Sequence, residues 1–515
     1  MSGHPPLTGA ARVAASIAVS MSVFMQVLDL TITNVATPTI AGDLGVSFTQ
    51  GTWVITSYAV STAVCTPLSG WLARRYGELR LYLVAASLFT FASWCCGLAS
   101  DLPTLVGFRV LQGLAAGPMM PLAQTLLFSI YPPEKRGIAL AVSMTTAVVA
   151  PVIGPWAGGV ITDTWSWPWV FYINVPLGIV SVLLTAVLFR GRETPVQRTP
   201  VDTLGFVLVV VGVGSLQLAL DRGNELDWFG SPLIVTLMVV AAVTLAYMVV
   251  WELTDPHPVV DLRLFRSWHF SASVFLQAAS FALYFGNVVI FPLWLQVGMG
   301  FSASWAGLTV APMGLPMLLL TPLTGRIIHR VDPRLVAMAS FTLFGLGAYV
   351  SAGLSPQADL WHLVATRLLY GAGVGLMSVP LNTMILRDIP MTQMASAVGL
   401  ANFARMLLAS FMTAAVVALW DHRQALHRSQ LVEHVSGWDE SSRMAFDVLA
   451  GVGLHGQRAA AAMERVISPQ AMAMATNDFF VLSAWCFAAL VLILWTTRRG
   501  RSPFQRAVPA PVAAE

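Results

Sequence analysis

The sequence predicts an all-α membrane protein of fourteen spans, from three observations: its composition, a series of apolar runs of spanning length, and a one-sided distribution of positive charge. Apolar residues make up 56% of the 515 residues and charged residues 10%, against about a quarter charged in ordinary globular proteins. Fourteen spans of about 20 residues each take up nearly all of that apolar complement, which leaves little for a soluble core. A net charge of +3 is too small to mark a nucleic-acid binder, and the chain has no P-loop, strand-led GxGxxG or HExxH. Cys65, Cys95, Cys96 and Cys486 all lie inside apolar runs, which suits small buried hydrophobes better than a disulfide framework.

The first apolar run, at 13 to 35, is long enough to span and lacks the pattern of a cleavable leader, so it reads as an uncleaved anchor. Spans follow at 51 to 73, 81 to 100, 103 to 127, 137 to 162 and 169 to 189. A pair lies at 203 to 220 and 232 to 252. Six more lie at 269 to 297, 304 to 325, 335 to 354, 361 to 386, 395 to 420 and 477 to 497. The chain thus divides into a six-helix bundle over 1–190, two linker helices over 191–268, and a second bundle over 269–497 with an extracytoplasmic loop at 421–476; a tail follows at 498–515.

An even number of spans puts both termini on one side, and positive charge selects the cytoplasmic one. With that orientation the inner segments hold 19 of the 28 Lys and Arg residues, among them Arg74, Arg75, Arg80, Lys135 and Arg136, while the short outer loops hold only Arg222. The long outer segment at 421–476 is polar and carries His422, His427, His434 and His455 at irregular spacing, a poor pattern for a metal site. Leu431, Val432 and Val435 recur at helical spacing, so the preceding span can continue outward as a helix. The segment reads either as a plain connector or as a docking surface for a partner.

Two halves of the chain echo one another. PLSGWLARRYGELRL at 67 to 81 aligns with PLTGRIIHRVDPRLV at 322 to 336, an offset of 255, and RVLQG at 109 to 113 aligns with RLLYG at 367 to 371, an offset of 258. Parallel repeats of this kind are expected of secondary transporters whose site lies between the halves near mid-membrane.

Polar residues inside the spans mark the candidate site. Ser22, Gln26, Asp29 and Thr33 share one face of the first span. Asp29 is the only acid well inside a span. A carboxylate there costs about 2.5 to 3.5 kcal/mol to insert, so Asp29 is a candidate for reversible proton uptake, or else for a packing ion pair with Arg109, which the fourth span places at a similar depth. In the ninth span Gln277, Ser280, Tyr284 and Asn287 form a second stripe, and the offset of 255 maps Tyr284 onto Asp29. Two facing stripes predict a cavity, and an interhelical hydrogen-bond seam is the alternative. The candidate substrate-binding residues are Gln26, Thr33, Asn34, Gln112, Gln277, Tyr284, Asn287, Phe291, Trp294, Arg367 and Arg405. Phe291 and Trp294 suit either stacking on an aromatic substrate or an interfacial belt. In the fifth span Gly154 and Gly158 form a GxxxG flanked by Pro151 and Pro155, a pattern for a bent, closely packed rocking helix; Gly113 and Gly117 form another in the fourth.

GWLARRYGELR at 70 to 80, RVLQG at 109 to 113 and APVIGPWAGG at 150 to 159 resemble the loop, arginine and antiporter motifs of the major facilitator superfamily. With LDLTITNVATP at 28 to 38 and fourteen spans, the chain is similar to the drug:proton antiporter branch, and within it to inner-membrane pumps of tripartite multidrug exporters. The resemblance implies the major facilitator fold of two pseudo-symmetric six-helix bundles plus two inserted helices. Asp29 and Arg109, at similar depth, are the candidate proton-coupling pair, and the resemblance assigns Gly70, Arg75, Gly77, Arg80, Gly154, Pro155, Gly158 and Gly159 to conformational motifs. The acid usual at the fifth position of the loop motif is replaced by Arg74. The resemblance further implies export of lipophilic small molecules from a bacterial inner membrane, driven by the proton gradient without a cofactor, with an EmrA-like periplasmic adaptor and a TolC-like outer-membrane channel as partners. Rival readings are an importer or exporter of one metabolite on the same fold and, from another class, a polytopic enzyme or sensor, for which the sequence offers neither a nucleophile or metal constellation nor an output domain.

Overall fold

A computed structural model describes residues 7–497 apart from 47, 133–134, 197–201, 224–225, 256–259, 302, 391–392 and 436–439. Among the described residues there is no β-strand; the helices satisfy their backbone groups internally, as a lipid-exposed segment must. The first half contains α1 (Gly9–Asp43), α2 (Phe48–Gly51), α3 (Trp53–Cys65), α4 (Ser69–Tyr76), α5 (Glu78–Gly97), α6 (Leu102–Ile130), α7 (Arg136–Thr164), α8 (Trp169–Tyr172) and α9 (Asn174–Leu188). Next come α10 (Thr203–Arg222) and α11 (Pro232–Thr254). The second half contains α12 (Trp268–Leu293), α13 (Ala303–Val310), α14 (Gly314–Ile327), α15 (Pro333–Ser351), α16 (Leu360–Ile385), α17 (Met394–His434), α18 (Glu440–Gly451) and α19 (Gln457–Thr496).

Local chemistry sets several of these boundaries. Asp101, Asp202 and Asp332 precede α6, α10 and α15, and each side chain accepts from a backbone N–H of the first turn, Thr104, Gly205 and Arg334, at 2.8 to 3.0 Å. These caps satisfy amides that a helix start leaves open. Pro292 precedes a π-helical turn at Trp294–Gly298 that ends α12, and Pro312 sits in the 3₁₀ turn Ala311–Met313 that joins α13 to α14.

Among the described residues, twelve helices are long and apolar enough to cross a membrane. The second predicted span is divided between α3, at 13 residues too short alone, and α4. The fifth corresponds to α7, a continuous helix of 29 residues.

The packing repeats. α1 lies on α7 and α9, as α12 lies on α17 and α19; α6 is flanked by α3 and α5, as α16 is by α14 and α15. The glycines repeat with it. A Cβ added at Gly113 would come 2.8 Å from Ser61 Cβ and one at Gly117 2.7 Å from Cys65 Cβ, so α6 sits directly on α3. At the offset of 258, Gly371 and Gly375 bring α16 equally close to Met313, just before α14, and to Leu320 within it. Across the halves, α7 meets α13, α14 and α16, while α17 meets α4, α6 and α10. The inserted pair stays peripheral: α11 leaves Val235, Val239, Val243 and Val250 exposed to the lipid side.

The segment expected as a long loop is largely helical. α17 runs for 41 residues and α19 for 40, each about 60 Å long and so about twice a hydrocarbon core. Their outer parts are joined by Arg428, whose Nε and Nη2 donate to Glu464 at 2.7 and 3.1 Å, and by His427 Nε2 and Arg423 Nη1, at 2.9 and 3.6 Å from Asp478. These pairs, with Leu and Val at helical spacing, continue the two spans as a helical arm, with α18 in the connection between them.

Candidate functional site

α1 places Asp29 where α6 and α9 converge. Arg109 Nη1 donates to Asp29 Oδ2 in a close ion pair, Gln112 Nε2 donates to Oδ1 at 3.0 Å and Asn174 Nδ2 donates to Oδ1 at 2.8 Å. Arg109 is held in turn: Nε donates to the Val54 carbonyl at 2.8 Å, Nη1 also donates to Gln112 Oε1 at 2.8 Å, and Tyr58 lies under the guanidinium at 4.3 Å. Its Nη2 is buried without an acceptor. Asp29, Arg109, Gln112 and Asn174 all have 0% exposure. A charge buried this completely survives only when paired and hydrogen-bonded, and Asp29 is supplied with three donors.

In the second half the matching arginine meets a neutral partner. Arg367 Nη1 donates to Asn287 Oδ1 at 2.6 Å, Nη2 to Ser351 Oγ at 3.1 Å and Nε to Thr366 Oγ1 at 3.2 Å, and the guanidinium lies 3.6 Å over Phe291. Asn287, rather than Tyr284, therefore stands where Asp29 stands, at the offset of 258 instead of 255. Tyr284 is buried against Phe344 with its hydroxyl unpartnered.

The two polar stripes do not face each other. Ser22 bonds to the Tyr82 hydroxyl on α5, Asp29 turns to α6 and α9, and Asn287 turns to α16, so at these positions each stripe points into its own half, while Gln277 is buried with Oε1 unpartnered. The reason is electrostatic: Arg109 and Arg367 each lie in their own half, and Asp29 and Asn287 turn toward them. Thr33 Oγ1 donates to its own helix at the Asp29 carbonyl, 2.6 Å away, and Asn34 is exposed, away from the cluster. Gln26 is buried with Oε1 unpartnered, while its backbone carbonyl accepts from Tyr58 Oη at 3.1 Å. Phe291 and Trp294 are each 1% exposed in one apolar cluster, and Arg367 occupies a face of Phe291, so they are neither a belt nor an open stacking surface. Trp165, Trp268, Trp361, Trp485 and Trp495 are exposed instead.

Arg405 differs from both other arginines. Its Nη2 lies 3.0 Å from Met120 Sδ and its guanidinium 4.7 Å from Phe281, while Nε is buried without a partner.

The motif glycines sit at close helix approaches. A Cβ at Gly154 would collide with Thr31, and one at Gly158 would come 2.9 Å from the Ile32 carbonyl, so α7 lies on α1 within a turn of Asp29. Gly159 is buried beside them; the side chains of Pro151 and Pro155 lie outside the described residues. At Gly70 a Cβ would come 2.7 Å from Ser396 Oγ on α17, which also accepts from Arg74 Nη1 at 2.6 Å. Gly77 has φ +91°. Glu193 closes over it, accepting from the backbone N–H groups of Leu79 and Arg80 at 3.0 and 2.9 Å. Arg75 lies against Trp71 and Tyr76, and Arg80 is mostly exposed.

Sequence reasoning missed Asn174, Tyr58, Glu193 and the contact of Arg74 with Ser396. Asn174 is an amide inside an otherwise apolar span, a signal that was there to be read. The other three depend on which helices become neighbours.

Fold and site together define a polytopic helical membrane protein organised around buried arginines. Residues 19–413 match the family described as Major Facilitator Superfamily. The chain is 43% identical over 496 residues to the Multidrug export protein EmrB of Escherichia coli (strain K12), covering 96% of this chain and 97% of that one. It is 41% identical over 495 residues to the Fatty acid resistance protein FarB of Neisseria gonorrhoeae, covering 96% and 98%. Among solved structures, the proton:xylose symporter XylE bound to 6-bromo-6-deoxy-D-glucose shares the fold at TM-score 0.60 with 13% identity, covering 96% of this chain and 98% of that one. The chain belongs to the major facilitator superfamily, in its EmrB-like branch, and is accordingly a transporter and not an enzyme.

Proposed function

We propose that this protein exports hydrophobic drugs and toxic small molecules across a bacterial inner membrane by proton-coupled alternating access. In this reading α3 with α4, and α7, join the twelve long apolar helices to make fourteen spans. These form pseudo-symmetric bundles over 1–190 and 269–497, with linker helices over 191–268, and both termini are cytoplasmic. The tail at 498–515 lies outside the described residues.

The observation that carries the reading is the fully buried contact between Asp29 and Arg109. A proton taken up by Asp29 removes the charge that holds Arg109 and puts a donor where three donors already converge. The cluster cannot keep its geometry, and Arg109, Gln112 and Asn174 must part. Because α7 packs on α1 at Thr31 and Ile32, a shift in α1 is passed to the helix that meets α13, α14 and α16 of the other half. The cluster is closed to solvent in this conformation, so proton exchange is tied to helix movement, as coupling demands. The membrane potential contributes about 2.3 kcal/mol per charge at 100 mV, enough for a gradient of roughly 50-fold per proton.

Identity of 43% to a multidrug export protein over nearly the whole chain supports the substrate class. The candidate substrate-binding residues are Gln26, Thr33, Asn34, Gln112, Gln277, Tyr284, Asn287, Phe291, Trp294, Arg367 and Arg405, acting in conformations where their faces open. Substrate passes to an EmrA-like adaptor and a TolC-like channel, and the outward helical arm of α17, α18 and α19 offers the adaptor a surface.

The test is energised uptake of a lipophilic dye into everted vesicles, compared between wild type and Asp29→Asn. Uptake by the wild type and its loss in the variant are expected. Full proton-coupled uptake by Asp29→Asn would falsify the coupling scheme, and energised loss of substrate from everted vesicles would indicate an importer. Deleting 425 to 470 is expected to abolish resistance in cells with an outer membrane.

A further inference from the structure

Arg405 is a buried cation short of an anion. Arg109 has Asp29, and Arg367 has three oxygen acceptors, but Arg405 is 8% exposed and among the described residues has only a thioether and an aromatic face. Among the described residues no carboxylate pairs with it. Its unpartnered Nε leaves a strong donor idle, which costs free energy wherever water is excluded.

Other orphaned groups gather beside it. Each helix that touches the guanidinium carries a buried, unpartnered amide one turn away on the same face. On α6, Gln124 lies four residues after Met120, with both side-chain amide atoms unpartnered; on α12, Gln277 lies four before Phe281, with Oε1 unpartnered; on α17, Asn402 lies three before Arg405, with Nδ2 unpartnered. These offsets converge in space because of helix direction. Gly113 meets Ser61 while Gly117 meets Cys65, so α6 runs with α3; Gly70 meets Ser396 while Gly399 approaches Thr66, so α17 runs against both. Phe281 meets Arg405 while Gly286 meets Val416, so α12 runs with α17. Gln124, Gln277 and Asn402 therefore all lie on one side of the guanidinium, toward the end where Gly70 touches Ser396. The walls are apolar and polarisable: Met120, and Phe281 stacked on Phe285 at 5.9 Å.

We propose that this cluster is a head-group site for a lipophilic monocarboxylate. Arg405 takes the carboxylate, the amides of Asn402 and Gln124 donate to its remaining lone pairs, and the Phe281 and Met120 surfaces take the hydrocarbon. One guanidinium without a second cation matches a single negative charge, and its fixed charge discriminates against cationic amphiphiles. The inference deepens the export reading by naming the substrate class, and it concerns binding rather than coupling.

The test uses the full chain in nanodiscs, at a pH well above the carboxyl range, with dodecanoate and methyl dodecanoate as probes. Dodecanoate is expected to bind at least about ten-fold more tightly than the ester. Arg405→Gln is expected to bring the acid down to the level of the ester and leave the ester unchanged, and its ligand-free melting temperature should rise, because an uncompensated buried charge is gone. A residue serving only packing would lower it. If Arg405→Gln does not fold, Asn402→Leu and Gln124→Leu carry the test, each weakening the acid alone. Equal binding of acid and ester, unchanged acid binding in the variants, or no acid binding would overturn the proposal. Absence of acid selectivity in the wild type while energised dye export persists counts against this site only; absence of wild-type export with acid binding intact counts against the coupling scheme only.

Discussion

Asn287 stands to Arg367 as Asp29 stands to Arg109. The partners are 80 residues apart in both pairs, on the first and fourth helices of their half. One arginine thus faces a group that can gain or lose a charge, and the other an amide that cannot. If proton coupling belongs to the first half alone, the roles do not transfer. The double variant Asp29→Asn with Asn287→Asp should fold, since it moves the ion pair to the corresponding place, yet remain defective in proton-driven efflux. Restored coupling, read as substrate-induced proton release from vesicles, would place the coupling in either half. Asn287→Leu, which strips Arg367 of its shortest hydrogen bond, should cost about 1 to 3 kcal/mol of stability.

Asn174 contributes most to Asp29 while Asp29 is charged, because its hydrogen bond is then charge-assisted. Its Nδ2 donates to Oδ1 at 2.8 Å and to Ser93 Oγ at 3.1 Å. Asn174→Ala should destabilise the protein, and the cost should shrink in an Asp29→Asn background. A double-mutant cycle of melting free energies should show a coupling of about 1 kcal/mol; additive effects would mean that Asn174 serves packing alone.

The GxxxG of α7 sets the spacing of α1 and α7 at Thr31 and Ile32. Gly158→Val puts two methyl groups against the Ile32 carbonyl, an overpacking of about 1 to 3 kcal/mol. Because the contact lies within a turn of Asp29, transport rate should fall more than substrate affinity. Measured together, unchanged turnover with weakened binding would contradict that order.

How much of this was readable in the sequence depended on whether the determining interaction was local. Helix positions followed from apolar runs, and the meeting of Asp29 with Arg109 followed from depth along antiparallel spans. The direction of the stripes did not follow: periodicity gives the shared face of Gln277, Tyr284 and Asn287, but the rotation of that face is set by Arg367 on another helix. The repeat offset changes from 255 in the loop motif to 258 at the arginines, and only the contacts choose between Tyr284 and Asn287. In the segment at 421–476 the spacing of Leu431, Val432 and Val435 gives the helical continuation of α17, but the pairing of its polar residues with α19, Arg428 with Glu464 and His427 with Asp478, depends on which helices become neighbours.

Gly77 and Glu193 give the loop motif a second reason for its glycine. The backbone of Gly77 lies at φ +91°, a region that L side chains avoid, and an added Cβ would meet the Glu193 carboxylate at 2.5 Å. That carboxylate caps α5 through Leu79 and Arg80, and the helix start favours its negative charge. Gly77→Ala therefore carries two costs, a backbone cost of about 1 to 2 kcal/mol and the loss of the cap. Glu193→Gln keeps the shape of the cap and removes the charge, so it should be milder than Glu193→Ala. In the double variant Gly77→Ala with Glu193→Ala the collision is relieved and only the backbone cost and the missing cap remain. Its melting temperature should be higher than the sum of the two single effects predicts, whereas strict additivity would mean that the carboxylate does not press on this position.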